Sequence, residues 1–255
     1  NYLMASRLKP NTISTYMRML RSIYNRGVDM HQAPYVHGLF RDVFTGVDTR
    51  QKKAIPIGEL HMLLNKDPQS EKLRRTQAIA NLLFQFCGMP FSDLAHLEKS
   101  NLERGLLKYN RTKTGTPMSI EVLESAQNAI GGLYNKSDAR SSGYPDYLFR
   151  ILSGAYKRNE EGAYREYQSA LRRFNNELKS LSRKLRLHSP VTSYTLRHSW
   201  ATTAKYRGVP IEMISESLGH KSIKTTQIYL KGFELEERTK VNKSNYSYVC
   251  NFKML

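Results

Sequence analysis

The last third of the chain gathers cations and phenols at short intervals: "SYTLRHSWATTAKYRG", then "LGH", then "TTQIY". Arg197, His220 and Tyr229 fall in that order, the histidine 23 residues after the arginine and the tyrosine nine after that. A phenol, with a pKa near ~10, is a weak nucleophile at neutral pH unless cations surround it. The residues that other phosphate chemistries require are missing. No glycine is followed by Lys-Ser or Lys-Thr, so there is no phosphate-cradling loop of the nucleotide hydrolases. The seven histidines form neither HExxH nor a His-x-Glu with paired cysteines, and the acidic residues do not gather into a two-metal cluster. Neither a metal nor any other cofactor is called for.

Taken singly, these residues have ordinary explanations. Tyr229 is one of 16 tyrosines and reads alone as a surface residue. His220 after Gly219 suits a helix C-terminus, where the dipole favours it. Arg197 could pair with a carboxylate on a neighbouring helix, and Lys113 alone is a solvated lysine. His198 suits a structural or a catalytic role equally, while Trp200 and the methionines are assigned to core packing.

Charge narrows the partner. Lys and Arg number 40 against 22 Asp and Glu, a formal net charge of +18 over 255 residues. That exceeds what solubility requires, so a polyanion, most simply nucleic acid, is expected. Cys87 and Cys250 lie far apart without a CxxC, which fits a reducing compartment. No apolar run approaches the ~20 residues of a membrane span. A soluble, cytoplasmic, nucleoid-associated protein with no membrane partner is therefore expected. The chain opens on basic helical sequence, "NYLMASRLKP", so an upstream portion is expected as well.

The elements that must position the chemistry are mostly helical. "NTISTYMRMLRSIYNRG" has apolar residues at Ile13, Tyr16, Met17, Leu20, Ile23 and Tyr24, with Asn11 or Thr12 as cap and Gly27 as stop. Its other face carries Arg18, Arg21 and Arg26, as suited to solvent as to DNA. A second helix is read over 34–44, then "TGVDTRQKKAIP" breaks the pattern as a linker. This divides the chain into a helical domain over 1–48, a linker over 49–55 and a larger domain over 56–255. In the latter, helices run through "IGELHMLL" and through "KLRRTQAIANLLFQFCG" as far as Gly88. "GLLKYNRTKTGTPMSIEV" reads as a β-hairpin turning at Thr114-Gly115, the one convincing sheet element. Beyond a polar stretch over 135–162, Tyr164, Tyr167, Leu171, Phe174, Leu178, Leu181 and Leu185 mark one long helix. Three short helices follow, separated by Gly208 and Gly219, with Pro210 at one start and Ser222 as a cap. The fold class is mainly α with a small antiparallel sheet.

The block "YTLRHSWATTAKYRGVPIEMISESLGHKSIKTTQIYLKGF" resembles the signature of the tyrosine recombinases, the phage integrase family, in the form carried by mobile elements of Bacteroides-type bacteria. The resemblance extends to "RTKTG", where Lys113 matches the family's hairpin lysine, and to "NTISTYMRML", similar to a late helix of its core-binding domain. It implies a catalytic domain preceded by a small helical core-binding domain, here truncated. It also implies that Tyr229 attacks a DNA phosphodiester, forming a 3′-phosphotyrosyl bond and releasing a 5′-hydroxyl. Arg197 would clamp the non-bridging oxygens, His220 would add a hydrogen bond, and Lys113 would protonate the leaving oxygen. The implied partners are double-stranded DNA, a homotetramer on two DNA sites and accessory DNA-bending proteins. The final segment, "FELEERTKVNKSNYSYVC", is expected to dock on a neighbouring protomer.

Two positions depart from the family pattern. Tyr194 stands one helical turn before Arg197, where a histidine is usual, and it can donate a hydrogen bond but carries no charge. In "CGMPFSDLAHL", Pro90 stands where the family's first arginine is usual. Arg111, two residues before Lys113, is expected to substitute, both side chains projecting from one face of the hairpin about 7 Å apart. A recombinase-derived DNA-binding protein unable to cleave is the alternative. A helix-turn-helix regulator would explain the charge but not Lys113 or Tyr229.

Overall fold

The computed structural model describes residues 2–46, 54–137, 143–230 and 235–250. Contacts divide the chain into two compact units, Asn1–Gln51 and Lys52–Leu255.

In the first unit α1 (Tyr2–Ala5) precedes the long helix α2 (Pro10–Asp29). Pro10 occupies the first turn, where its missing N–H costs nothing, so the helix begins before the expected Asn11 or Thr12 cap. It also runs through Gly27 to Asp29, with Met30 as its C-cap and His31 following at φ 55°. The stretch over 34–44 is a series of turns instead of a second helix. Those turns pin one side of α2. The Tyr24 hydroxyl donates to the Pro34 carbonyl at 2.8 Å and accepts from Val36 N–H at 2.6 Å, and buried Ser14 donates to the Gly46 carbonyl. Tyr16, Leu20 and Ile23 of the expected apolar stripe are exposed, because so short a partner covers only one flank. Residues 49–53 of the expected linker lie outside the described residues.

The second unit is built around α4 (Glu71–Gln85), which packs against α3 (Ile57–Asn65), α6 (Glu124–Leu133), α7 (Glu161–Lys184) and α8 (Ser193–Tyr206). Its residues Ile79, Ala80, Leu82 and Leu83 are buried, as are Phe174, Leu178, Leu181 and Leu185 of the α7 stripe and its C-cap. Each fully buried aliphatic or aromatic side chain contributes about 1.5–3 kcal/mol relative to exposure. Upstream on α7, Ala163 and Ala170 take the inner positions and Tyr164 is exposed, so the stripe bends away from the sequence pattern. Met89 is buried, but Met19, Met30 and Met213 are exposed, against their assignment to the core.

Phe91 of the short helix α5 (Phe91–Ala95) stacks on Phe174 at 4.7 Å between ring centroids, fixing α5 against α7. The sheet has three antiparallel strands, β1 (Leu102–Glu103), β2 (Leu106–Asn110) and β3 (Pro117–Glu121), in that order. The expected hairpin is β2–β3. Strand β1 is too short to show a period-two pattern, and α6 was hidden by its two glycines, Gly131 and Gly132. After α8 come α9 (Ile211–Ser217), α10 (Ile223–Tyr229) and α11 (Leu235–Cys250), the last a helix that sequence reading did not find. Among the described residues no helix is long and apolar enough to cross a membrane.

Candidate active site

Helix α8 starts with a capping box. Thr192 Oγ1 accepts from Thr195 N–H at 3.2 Å, and Thr195 Oγ1 accepts from Thr192 N–H at 2.8 Å. A helix begun so firmly presents Leu196 to the core and Arg197 to a polar pocket, where the arginine is only 3% exposed. Its guanidinium donates from Nη1 to the Gly88 carbonyl at 2.8 Å and from Nη2 to the Leu218 carbonyl at 2.5 Å. Gly88 is needed there: its φ is +65°, and a Cβ would lie 3.2 Å from both Arg197 Cα and Trp200 Cβ. The turn that ends α4 therefore presses directly on α8. Cys87, in the same turn, has its thiol pushed up by burial, partly offset by the Arg197 charge.

Arg197 Nη2 also lies 3.1 Å from His220 Nε2, and His220 Nδ1 lies 2.8 Å from Thr226 Oγ1. A guanidinium can only donate, so Nε2 accepts and the imidazole proton sits on Nδ1, facing the threonine. Burial first, then the charges of Arg197 and Arg111, push the His220 imidazole down to about 4. Thr226 is fully buried on α10, one turn before Tyr229, so a hydrogen bond joins the histidine to the helix that carries the phenol. Tyr229 closes that helix.

The hairpin delivers the second buried arginine. Its strand ladder ends at Asn110 paired with Pro117, and a turn follows, with Gly115 N–H donating to the Arg111 carbonyl and Arg111 N–H to the Thr116 carbonyl. Period-two alternation therefore does not reach Arg111 and Lys113. Arg111 is 7% exposed and turned inward, whereas Lys113 is exposed, so the expected shared face is not found. Lys113 is still close enough to be one of the charges that depress His220. Arg111 Nε donates to Asp93 Oδ2 at 2.9 Å, and Nη1 donates to the carbonyls of Leu218 and Gly219. Both arginines thus donate to the carbonyl oxygen of Leu218. Gly219, with φ +63°, leaves room for this, since a Cβ there would meet Arg111 Cδ at 2.7 Å.

The site therefore brings together Arg197, Arg111 and His220, with Lys113 nearby on the hairpin turn. Pro90 caps α5 and brings no charge. Tyr194 is 46% exposed, and its ring lies edge-on against that of buried His198, 4.6 Å between centroids. Sequence reading missed Asp93 and Thr226. Asp93 had a signal, a carboxylate one turn after the position where an arginine was sought. Thr226 had none, because threonines are common near helix starts.

A family model described as "Phage integrase family" matches residues 57–235. A probable integrase/recombinase protein of Methanocaldococcus jannaschii is 28% identical over 204 residues, 77% of this chain and 58% of its own length. The tyrosine recombinase XerD of Halalkalibacterium halodurans is 30% identical over 190 residues, 71% of this chain. The chain spans 57% of the length of that relative. Among solved structures, the Tn1549 transposon integrase in complex with a circular intermediate DNA has a TM-score of 0.66 at 15% identity, covering 95% of this chain and 82% of the other. That likeness is one of fold. With the family model matching well over half the chain, the protein belongs to the phage integrase family, the tyrosine recombinases.

Proposed function

We propose that this chain is a site-specific DNA recombinase that cuts and rejoins strands through Tyr229. The observation that carries this reading is the convergence of two buried guanidinium groups and a neutral imidazole beside the helix of that tyrosine. In the reaction the phenol gives up its proton to solvent as its oxygen attacks the scissile phosphorus, the P–O5′ bond breaks and a 3′-phosphotyrosyl bond forms. Lys113 gives its proton to the departing 5′-oxygen. Because one phosphoester replaces another, the bond energy is retained for rejoining. Arg197 and Arg111 meet the non-bridging oxygens as negative charge grows on them, and removal of one such donor typically costs ~10²- to 10³-fold. The phosphate takes over the donation that Arg197 now makes to His220, and the imidazole turns a nitrogen-bound proton toward the same oxygens. Tyr194 adds an uncharged donor at the rim.

Residues 1–48 grip double-stranded DNA in this reading, 49–55 link, and 56–255 supply the chemistry, with four protomers on two DNA sites. The alternative, a DNA-binding protein that no longer cleaves, is favoured by Pro90 and by the exposed Tyr194. One experiment separates them. A duplex nicked near the cleavage point traps the covalent product, and the parental protein should retain it through SDS while Tyr229→Phe binds the duplex but retains none. Adduct formation by the phenylalanine variant would remove Tyr229 from its role, and no adduct with the parent on its own site would favour the alternative.

A further inference from the structure

Pro90 contributes no charge, yet one turn along α5 a full negative charge has been taken out of water. The Asp93 side chain is 0% exposed. Burying a carboxylate costs several kcal/mol unless donors replace the lost water. Three donors surround it: Arg111 Nε at 2.9 Å, Thr112 N–H at 3.1 Å and Ser92 Oγ at 3.3 Å. Two of them come from consecutive residues of the hairpin turn, one from a side chain and one from the main chain. The carboxylate therefore holds both the backbone of the turn and the shaft of its arginine.

This grip decides how the guanidinium faces the site. Nε is taken by Asp93 and Nη1 by the carbonyls of Leu218 and Gly219, while Nη2 has no protein partner among the described residues. A planar group fixed along two edges can only offer the third. We infer that Asp93 is the positioning residue of the hairpin clamp, holding Arg111 so that Nη2 is the donor offered to the scissile phosphate. The inference rests on Arg111 acting as a clamp. It adds that the missing arginine at position 90 was replaced through a carboxylate already on α5, which gave an arginine from another element a fixed seat.

The test uses the full chain and a nicked duplex carrying either the natural scissile phosphate or a methylphosphonate there, whose uncharged methyl group leaves less charge to neutralise. Asp93→Asn should slow cleavage of the phosphate by ~10- to 100-fold, part of the ~10²- to 10³-fold typical of losing a donor outright. Duplex affinity should stay within about twofold of the parent. Asp93→Glu keeps the charge on a longer arm and should fall between Asp93→Asn and the parent. The double variant Asp93→Asn/Arg111→Ala should be no slower than Arg111→Ala alone, because both changes act through one donor. On the methylphosphonate the deficits should shrink together. If Asp93→Asn does not fold, the ratio of phosphate to methylphosphonate rates for Asp93→Glu carries the test, and a parental ratio overturns the inference. Equal slowing on both substrates, or multiplying effects in the double variant, would reduce Asp93 to general support of the fold. A parental rate for Asp93→Asn with a slow Arg111→Ala overturns the positioning role and leaves the clamp. A parental rate for Arg111→Ala overturns both.

Discussion

Arg18, Arg21 and Arg26 on α2 stand exposed along a helix face, whereas Arg197 and Arg111 are buried and spend most of their donors on carbonyls, a carboxylate and an imidazole nitrogen. The same charge serves different ends in the two regions. On α2 each cation keeps its water and its rotamers, so it can meet a phosphate at many positions but cannot fix one. In the pocket the cost of ordering and desolvating each guanidinium has been met during folding, so neither reorganises when a phosphate arrives. In the proposed reading, surface charge governs whether DNA is held, and buried charge governs what happens to it.

The largest effects should come from the pocket. Arg197→Ala or Arg111→Ala should each slow adduct formation on a nicked duplex by ~10²- to 10³-fold with little change in duplex affinity. Placing arginine at position 90 in the Arg111→Ala background should return part of the rate, since the N-cap of α5 lies one turn from the same carboxylate. A loss of affinity as large as the loss of rate would break the contrast between the two regions.

Smaller effects are expected on α2. Replacing Arg18, Arg21 and Arg26 together with alanine should weaken duplex binding and make log affinity fall less steeply with log salt, by roughly 0.9 for each phosphate contact removed. Cleavage at saturating DNA should hold within about twofold. An unchanged salt slope in filter or anisotropy titrations would leave these arginines as solvated surface.

His220 sharpens the contrast through pH. Its folded value of about 4 lies below the ~6.5 of an unfolded histidine, so between those values the unfolded chain takes up a proton that the native one refuses. The stability from this group is complete above about pH 6.5 and is lost as pH falls toward 4. Urea midpoints measured at about pH 7 and about pH 5 should differ more for the parent than for His220→Gln. Equal differences would show that the imidazole is not held neutral by its pocket. Smallest of all should be Thr192→Ala, which removes the side-chain cap of α8 and should cost about 1 kcal/mol in denaturant unfolding.

Elements with a strong local period were legible in the sequence. The α7 stripe, the β2–β3 hairpin and the breaks at Gly208 and Gly219 are all present in the fold. Short or atypical elements were not. Strand β1 has two residues, α6 carries paired glycines, and the expected helix over 34–44 dissolved into turns whose bonds run to Tyr24 on α2. At the candidate site, the order Arg197, His220, Tyr229 was legible because its spacing resembles the tyrosine recombinase signature.

The sequence by itself determined the charge, the helical periods, and the presence of a phenol among cations, since composition and spacing need no contacts. It also exposed the gap at Pro90. Where the side chain of Arg111, the residue expected to bridge that gap, points was decided by the tertiary structure. Arg111 turns inward because Asp93, 18 residues earlier in the chain, and the carbonyl of Leu218, 107 residues later, converge on it. Side-chain direction in a strand follows the alternation of the pleat, but in the turn beyond the last ladder pair it follows whichever distant groups satisfy a buried charge.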